Sequence, residues 1–216
     1  MSARPGDAVV VLGAGGHAKV VIATLQAAGF TVAAVFDDDE TKRGSALLSV
    51  TVKGTLDELA SSNYRHAIMA VGNNATRMQL TERLQNQLQN VEWITVVHPQ
   101  TCVHPSVQLG AGTVVFAGAV VQPDAVIGAH AIINTGATID HDCFIGDFAH
   151  IAPGAHLAGD VRIARGAFIG IGAAVIPGRQ VGEWAMVGAG ATVISDIPAR
   201  VTAVGVPASV LCREAK

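Results

Sequence analysis

The apolar positions follow two different rules along the chain. Through the first hundred residues, short β-branched runs alternate with stretches of helical spacing. Ala8 to Leu12 predicts a strand, the Ala-rich stretch from Gly16 to Ala28 a helix, and Thr31 to Phe36 a second strand. Leu56 to Ala60 reads as helical and Ala67 to Val71 as an apolar strand. Asn73 to Leu88 sets Met78, Leu80, Leu84 and Leu88 among polar residues, which predicts an amphipathic helix, and Trp93 to Val97 reads as another strand. Strand–helix–strand order with short connections implies a small parallel sheet with helices on its faces.

From Val103 the period becomes six. Val103, Leu109, Val115, Val121, Ile127, Ile133, Ile139, Ile145, Ile151, Leu157, Ile163, Ile169, Val175, Val181, Val187 and Val193 are sixteen aliphatics in succession. Val, Leu and Ile are 56 of the 216 residues. Chance gives such a run with a probability on the order of 10⁻⁸ to 10⁻⁹, all six phases allowed. Val97 is in phase and is the candidate entry to the first coil. Four positions after each aliphatic, twelve of sixteen residues are Ala, Cys or Thr; Val107, Val161, Arg179 and Ile197 differ. Three positions after it, twelve of sixteen are Gly or Asp, which tolerate the positive φ of a tight corner. Pro105, Pro123, Pro153 and Pro177 stand just before such corners. Six is not a multiple of 3.6, so no helix explains the pattern. Each hexad is instead one short strand and one corner, and three hexads close a triangular coil of 18 residues.

Composition agrees with a chain that turns often and fills its interior with small aliphatics: 24 Gly, 50% hydrophobic, 14% charged and 4% aromatic residues. A net charge of −3 argues against a nucleic-acid or anionic-membrane partner. The most apolar window, Ala8 to Phe30, is broken by His17, Lys19 and Gln26, too often for a membrane span. Met1 to Asp7 lacks the layout of a signal peptide. Cys102, Cys143 and Cys212 are odd in number and unclustered, as expected of reduced thiols in a cytoplasmic protein.

Two places carry candidate chemistry. Gly13, Gly15, Gly16 and Ala18 make a G-x-G-G-x-A loop between a strand and a helix, with Asp37 and Asp38 about twenty positions on. Such a loop brings backbone N–H groups and a helix N-terminus to a phosphate. The generic reading is a dinucleotide site for NAD, although His17 inside the loop is unusual there. A Gly-rich turn that only links strand to helix is the plain alternative. The second place is His141, two residues after Ile139 at a corner, where its ring projects outward and can serve as a base or stand as a solvated loop histidine. Asp142 follows it, placed to orient the imidazole, but also at a corner slot that holds Asp at Asp124, Asp160 and Asp196.

The run from Val103 to Val193 resembles the hexapeptide-repeat acyltransferases. With Val10-Val11-Leu12-Gly13-Ala14-Gly15-Gly16-His17-Ala18, Phe36-Asp37-Asp38 and Ile139-Asp140-His141-Asp142-Cys143, the chain is similar to the nucleotide-sugar acetyltransferases that make diacetamido-trideoxyhexoses for bacterial glycans. The resemblance implies an α/β Rossmann-like domain over 1–97 and a left-handed parallel β-helix over 98–216. It implies acetyl-CoA as co-substrate and no metal. The acceptor implied is a UDP-4-amino-4,6-dideoxy-N-acetyl-hexosamine, with Asp37 and Asp38 near uracil or ribose and His17 near the phosphates. His141 is the implied base and Asp142 its orienter. Asn134, His150, Gly159, Gly170, Gly188 and Ala189 are implied around acetyl-CoA, with the Gly159 N–H as oxyanion donor. A homotrimer with sites between subunits is also implied. Open alternatives are another acceptor, such as a sialic acid hydroxyl or GDP-perosamine, a hexapeptide carbonic anhydrase, and a non-enzymatic nucleotide sensor. Arg179 at an inward small position must bulge or find a partner, and Phe148 and Trp184 at corner slots are expected to face a partner subunit or cover the ligand.

Overall fold

A computed structural model describes residues 4–85, 87 and 91–211. Leu88 and Cys212 lie outside the described residues. The first part is a six-stranded sheet built from β1 (Ala8–Leu12), β2 (Thr31–Phe36), β3 (Ala46–Leu47), β4 (Val50–Gly54), β5 (His66–Met69) and β6 (Glu92–Trp93), in the order β3-β4-β2-β1-β5-β6. Only the β3–β4 pair is antiparallel. That hairpin leaves no trace in the apolar pattern, because a two-residue strand has no period to show. Helix α1 (Gly16–Ala27) follows β1, and α2 (Asn74–Gln85) follows β5. The chain leaves central β1 for β2 on one side and later returns to β5 on the other. The carboxyl ends of these three strands therefore frame the crevice where such sheets take ligands.

The stretch expected as one strand from Trp93 to Val97 is split. Glu92–Trp93 completes the sheet beside β5, and Val96–Val97 opens the solenoid by pairing with Val114–Val115. From there to Thr192–Val193 each strand pairs in parallel with the one 18 residues away, which makes three faces of a left-handed parallel β-helix; at the end the spacing shortens to 16, with Met186–Val187 pairing with Thr202–Ala203, and Ser209–Val210 closes on Ala203–Val204 antiparallel. The first face carries Val96–Val97, Val114–Val115, Ile132–Ile133, His150–Ile151, Phe168–Ile169 and Met186–Val187. The second runs from Cys102–Val103 to Thr192–Val193 and the third from Gln108–Leu109 to Gln180–Val181. The hexad aliphatics and their small partners fill one continuous core, from Val115 and Ala119 up to Ala203 and Ala208.

The corners explain the Gly and Asp positions. Every corner residue from Gly112 to Gly190 at six-residue spacing has positive φ, Asp124, Asp142 and Asp160 included. His130, Phe148 and Trp184 adopt it too, at φ 53, 57 and 56. A bulky residue there costs roughly 1 to 2 kcal/mol, so something must hold each one. All three stand on the edge between the third and first faces. His130 stacks flat on Phe148 with centroids 5.2 Å apart, and Trp184 lies across Gly166, which has no Cβ to obstruct it. Phe148 is thus buried inside the chain, beneath Arg165, rather than turned outward. Arg179 escapes its inward slot, reaching Pro177 O and Asp196 at 3.5 and 3.6 Å.

The two parts share a core. Helix α1 is sandwiched between the sheet and the first solenoid face, with Ala18, Val21, Ile22 and Leu25 packed among Val96, Val114, Phe116 and Ile132. No helix among the described residues is long and apolar enough to cross a membrane.

Candidate active site

Two groups of side chains carry chemistry, and they sit on different edges of the prism. The first gathers at the sheet crevice. Gly13 has φ 106, and a Cβ there would meet Val71 Cγ2 at 3.0 Å, so only glycine lets the turn close. The Ala14 N–H donates to Asp37 Oδ2 at 2.6 Å, and Lys42 Nζ lies 3.1 Å from the same carboxylate. The Asp38 carboxylate accepts from the Leu56 N–H at 3.1 Å and pairs with Arg83 at 2.9 Å. Both carboxylates, expected against a ligand, thus already hold the loop and its neighbours in shape. Gly15 caps α1 with no side-chain partner, and space beside Gly15 and Gly16 is empty. First-turn N–H groups with open space before them suit an anion.

His17 points from this loop toward the solenoid. Its ring meets Phe116 edge-on at 5.4 Å and faces His150 at 6.3 Å. His150, 8% exposed, has Nε2 within 3.0 Å of Asn134 Nδ2 and meets Phe168 edge-on at 5.1 Å. Burial is the main reason that the His17 pKa falls to about 4 and the His150 pKa to about 3; the Arg77 charge adds to both, and His17 adds to the latter. Each is a neutral imidazole at physiological pH.

The second group stands on the edge between the second and third faces. His141 Nδ1 lies 2.7 Å from Asp142 Oδ2, and Asp142 also has φ 59. Asp142 thus holds a corner and contacts the imidazole at the same time, which is the geometry that both readings need. The hydrogen bond to Asp142 is the largest reason that the His141 pKa is raised. A Cβ at Gly159 would lie 2.6 Å from His141 Cε1, so glycine is what lets the imidazole lie across this coil. The Gly159 N–H finds no acceptor among the described residues. Asp140, Ala158, Asp160, Pro177 and Gly178 complete an open cavity of about 450 Å³ around this pair.

The remaining positions expected around the coenzyme separate. Asn134 belongs with His150. Gly170 and Gly188 stack on the edge between the first and second faces, but a Cβ on either would strike the next coil, at Ala189 N 2.6 Å away or Val204 Cγ1 2.7 Å away. Coil packing alone requires glycine there. Ala189 is exposed. The three histidines weighed as a zinc tripod diverge, with His141 on a corner, His150 on the first face and His156 on the second. Reading the sequence overlooked Arg77 and His130. The buried stripe of α2 is Asn74, Arg77, Thr81 and Leu84, while Met78 and Leu80 are only partly covered. The spacing of three and four was legible, but an apolar filter discards a buried stripe that is polar.

Comparison with known proteins gives the same outline. The family described as the PglD N-terminal domain matches residues 8–84. PerB from Caulobacter crescentus, crystallised with CoA and GDP-perosamine, is 42% identical and superposes with a TM-score of 0.89, covering 95% of this chain and 97% of that one. The acetyltransferase domain of PglB from Neisseria gonorrhoeae FA1090, in complex with acetyl coenzyme A, is 40% identical with a TM-score of 0.86, covering 95% and 100%. The UDP-N-acetylbacillosamine N-acetyltransferase of Bacillus subtilis (strain 168) is 44% identical over 117 residues, 50% of this chain and 51% of that protein. The chain spans about half the length, or less, of the curated relatives it matches.

Proposed function

This chain belongs to the hexapeptide-repeat sugar N-acetyltransferases, and from that premise we propose that it moves the acetyl group of acetyl-CoA to the 4-amino group of a nucleotide-linked 4-amino-4,6-dideoxyhexose. The observation that carries this reading is the His141–Asp142 pair laid across Gly159, with an imidazole nitrogen and an unpaired N–H on one cavity. Asp142 holds Nδ1, so Nε2 is the nitrogen that takes the proton from the amine as it attacks the thioester. The C–N bond forms, the oxyanion accepts from the Gly159 N–H, and the C–S bond then breaks. The proton on Nε2 passes to the departing thiolate. The diphosphate of the acceptor lies on Gly13, Gly15, Gly16 and His17, while Asp37 keeps that loop in shape and Asp38 ties the neighbouring Leu56 and Arg83. A UDP-linked acceptor is the first reading, supported by the PglD-type N-terminal domain and the Bacillus relative. A GDP-linked acceptor is the second, supported by the likeness to PerB along nearly the whole chain. A panel of UDP- and GDP-linked amino sugars, assayed for coenzyme A release, decides between them. No release with any member overturns the proposal.

In one chain His141 stands on the edge between the second and third faces while the nucleotide loop packs against the first face, so we propose that a second copy completes the site. The proposed assembly is a homotrimer closed by cyclic symmetry, with sites between neighbours. Mixing and reassembling His141→Ala subunits with subunits inactivated by Gly15→Asp at the loop should restore about a quarter of the wild-type sites. Light scattering should give three times the chain mass. A monomer, or mixed oligomers with no regained activity, refutes the shared site.

A further inference from the structure

Arg77 lies in the interior, 1% exposed, on the first turns of α2. Among the described residues no carboxylate pairs with it, and all five of its N–H donors meet oxygens. Nε donates to His130 O at 2.9 Å, and Nη1 to Val71 O and Gly72 O at 2.9 and 3.2 Å. Nη2 donates to Phe148 O at 2.7 Å and to Asn74 Oδ1 at 3.0 Å. Asn74 in turn donates from Nδ2 to Gly166 O and Ala167 O, both at 3.1 Å. The guanidinium therefore joins two successive coils of the solenoid to the segment after β5, and through Asn74 a third. A buried cation is costly, and only a complete set of acceptors of this kind offsets the cost. Burial brings its pKa down to about 9, so it remains charged at neutral pH.

The segment that Arg77 holds is not remote from the nucleotide loop. A Cβ at Gly72 would lie 3.6 Å from the His17 ring, and Val71 is the wall against which Gly13 turns. His130 and Phe148, whose carbonyls Arg77 grips, are two of the three bulky residues held at positive φ. Their corners are one step in the chain from the first face, where His150 meets His17. We propose that Arg77 is a positioning residue that fixes the nucleotide loop to the solenoid edge, so that the Gly13–His17 anion cradle keeps one spacing from His150 on the first face. This rests on the acetyltransferase reading for its substrate but not for its geometry.

The test uses Arg77→Lys and Asn74→Ala in the full chain. Lysine keeps the charge but not the fork, so it cannot span the same carbonyls. Asn74→Ala removes the bonds to Gly166 O and Ala167 O and one of the five Arg77 acceptors, but leaves the other four, so it is the milder variant should Arg77→Lys fail to fold. In both variants amide exchange of residues 13–17 and 70–73 should rise about tenfold or more, while the solenoid strands near Ile133 and Ile151 stay protected. With the acceptor found in the panel above, kcat/KM for the nucleotide sugar should fall by about 10- to 10²-fold. The Kd of coenzyme A, measured by calorimetry, should stay within about twofold, because Arg77 and Asn74 stand on a different edge of the prism from the His141–Gly159 cavity. Exchange unchanged at 13–17, or a variant that loses only melting temperature, overturns the proposal. If the wild type acetylates nothing, the functional reading fails, and the exchange experiment still decides the positioning role.

Discussion

Replacing His141 by alanine is expected to lower kcat by about 10² to 10⁴ while coenzyme A binding survives. An amine acceptor is largely protonated in neutral water, and its lone pair must be free to attack; a positioned base is worth about that factor. Sixty per cent of the His141 side chain is exposed, so truncation leaves no cavity and the coil is unharmed. Asp142→Asn is the informative companion. The Asp142 hydrogen bond holds the His141 pKa above its ordinary value, and the base works only when neutral. The acid limb of the kcat/KM profile therefore lies above pH 6.5 in the wild type and moves to lower pH when the carboxylate is removed. Asparagine still tolerates φ 59, so stability should barely change. Asp142→Val should instead destabilise the coil, since a β-branched residue resists that backbone. Wild-type rates in His141→Ala would end the mechanism, and an unmoved pH profile in Asp142→Asn would reduce Asp142 to a corner residue.

The solenoid was legible because its rule is local. One aliphatic, one small residue and one Gly or Asp recur every six positions, and each coil repeats the same contacts, so the sequence pattern and the 18-residue register are the same information. His141 and Asp142 were legible for the same reason, as polar residues at a known place in the hexad. The sheet was read well where strands have five or six residues and poorly at Ala46–Leu47 and Glu92–Trp93. What could not be read is whatever depends on one part of the chain meeting another. Asp37 and Asp38 fit a ligand-binding fingerprint by spacing, yet their partners, Ala14, Leu56 and Arg83, are set by packing. Arg77 reaches 53 and 71 residues along the chain to His130 and Phe148, and no window contains both ends. Gly170 and Gly188 recur at one edge of the coil, and the reason that a side chain is forbidden there, the adjoining coil, lies 16 to 19 residues away.

The same interdomain meeting makes the fold sensitive to acid. Three histidines, half-buried His17 and buried His130 and His150, feel the Arg77 charge, and their pKa values are lowered to about 4, 4 and 3. Burial is the largest cause for each, followed by the Arg77 charge; Asp147 acts weakly in the opposite direction on His130. In the unfolded chain each titrates near pH 6.5. Between pH 6.5 and 4 the unfolded state therefore binds up to three more protons than the folded one, and stability must fall as the pH falls through that window. Each proton contributes about 1.4 kcal/mol per pH unit, so together they cost roughly 4 kcal/mol per unit near pH 5, a large fraction of a domain's stability. His141, exposed and with a raised pKa, has the opposite sign, but it is protonated in both states well below pH 6.5 and so leaves that slope unchanged; its small contribution is lost only as the pH rises above 6.5 through its folded pKa. Urea unfolding measured from pH 7.5 to 4.5 should show a flat region above pH 7 and a steep loss below 6.5. The stacked pair supplies a control: His130→Phe keeps a flat ring on Phe148 and removes one titration, so its slope should fall by about a third. A slope that matches the wild type in His130→Phe, or stability that is level down to pH 5, would mean that these imidazoles are not held neutral in the folded chain.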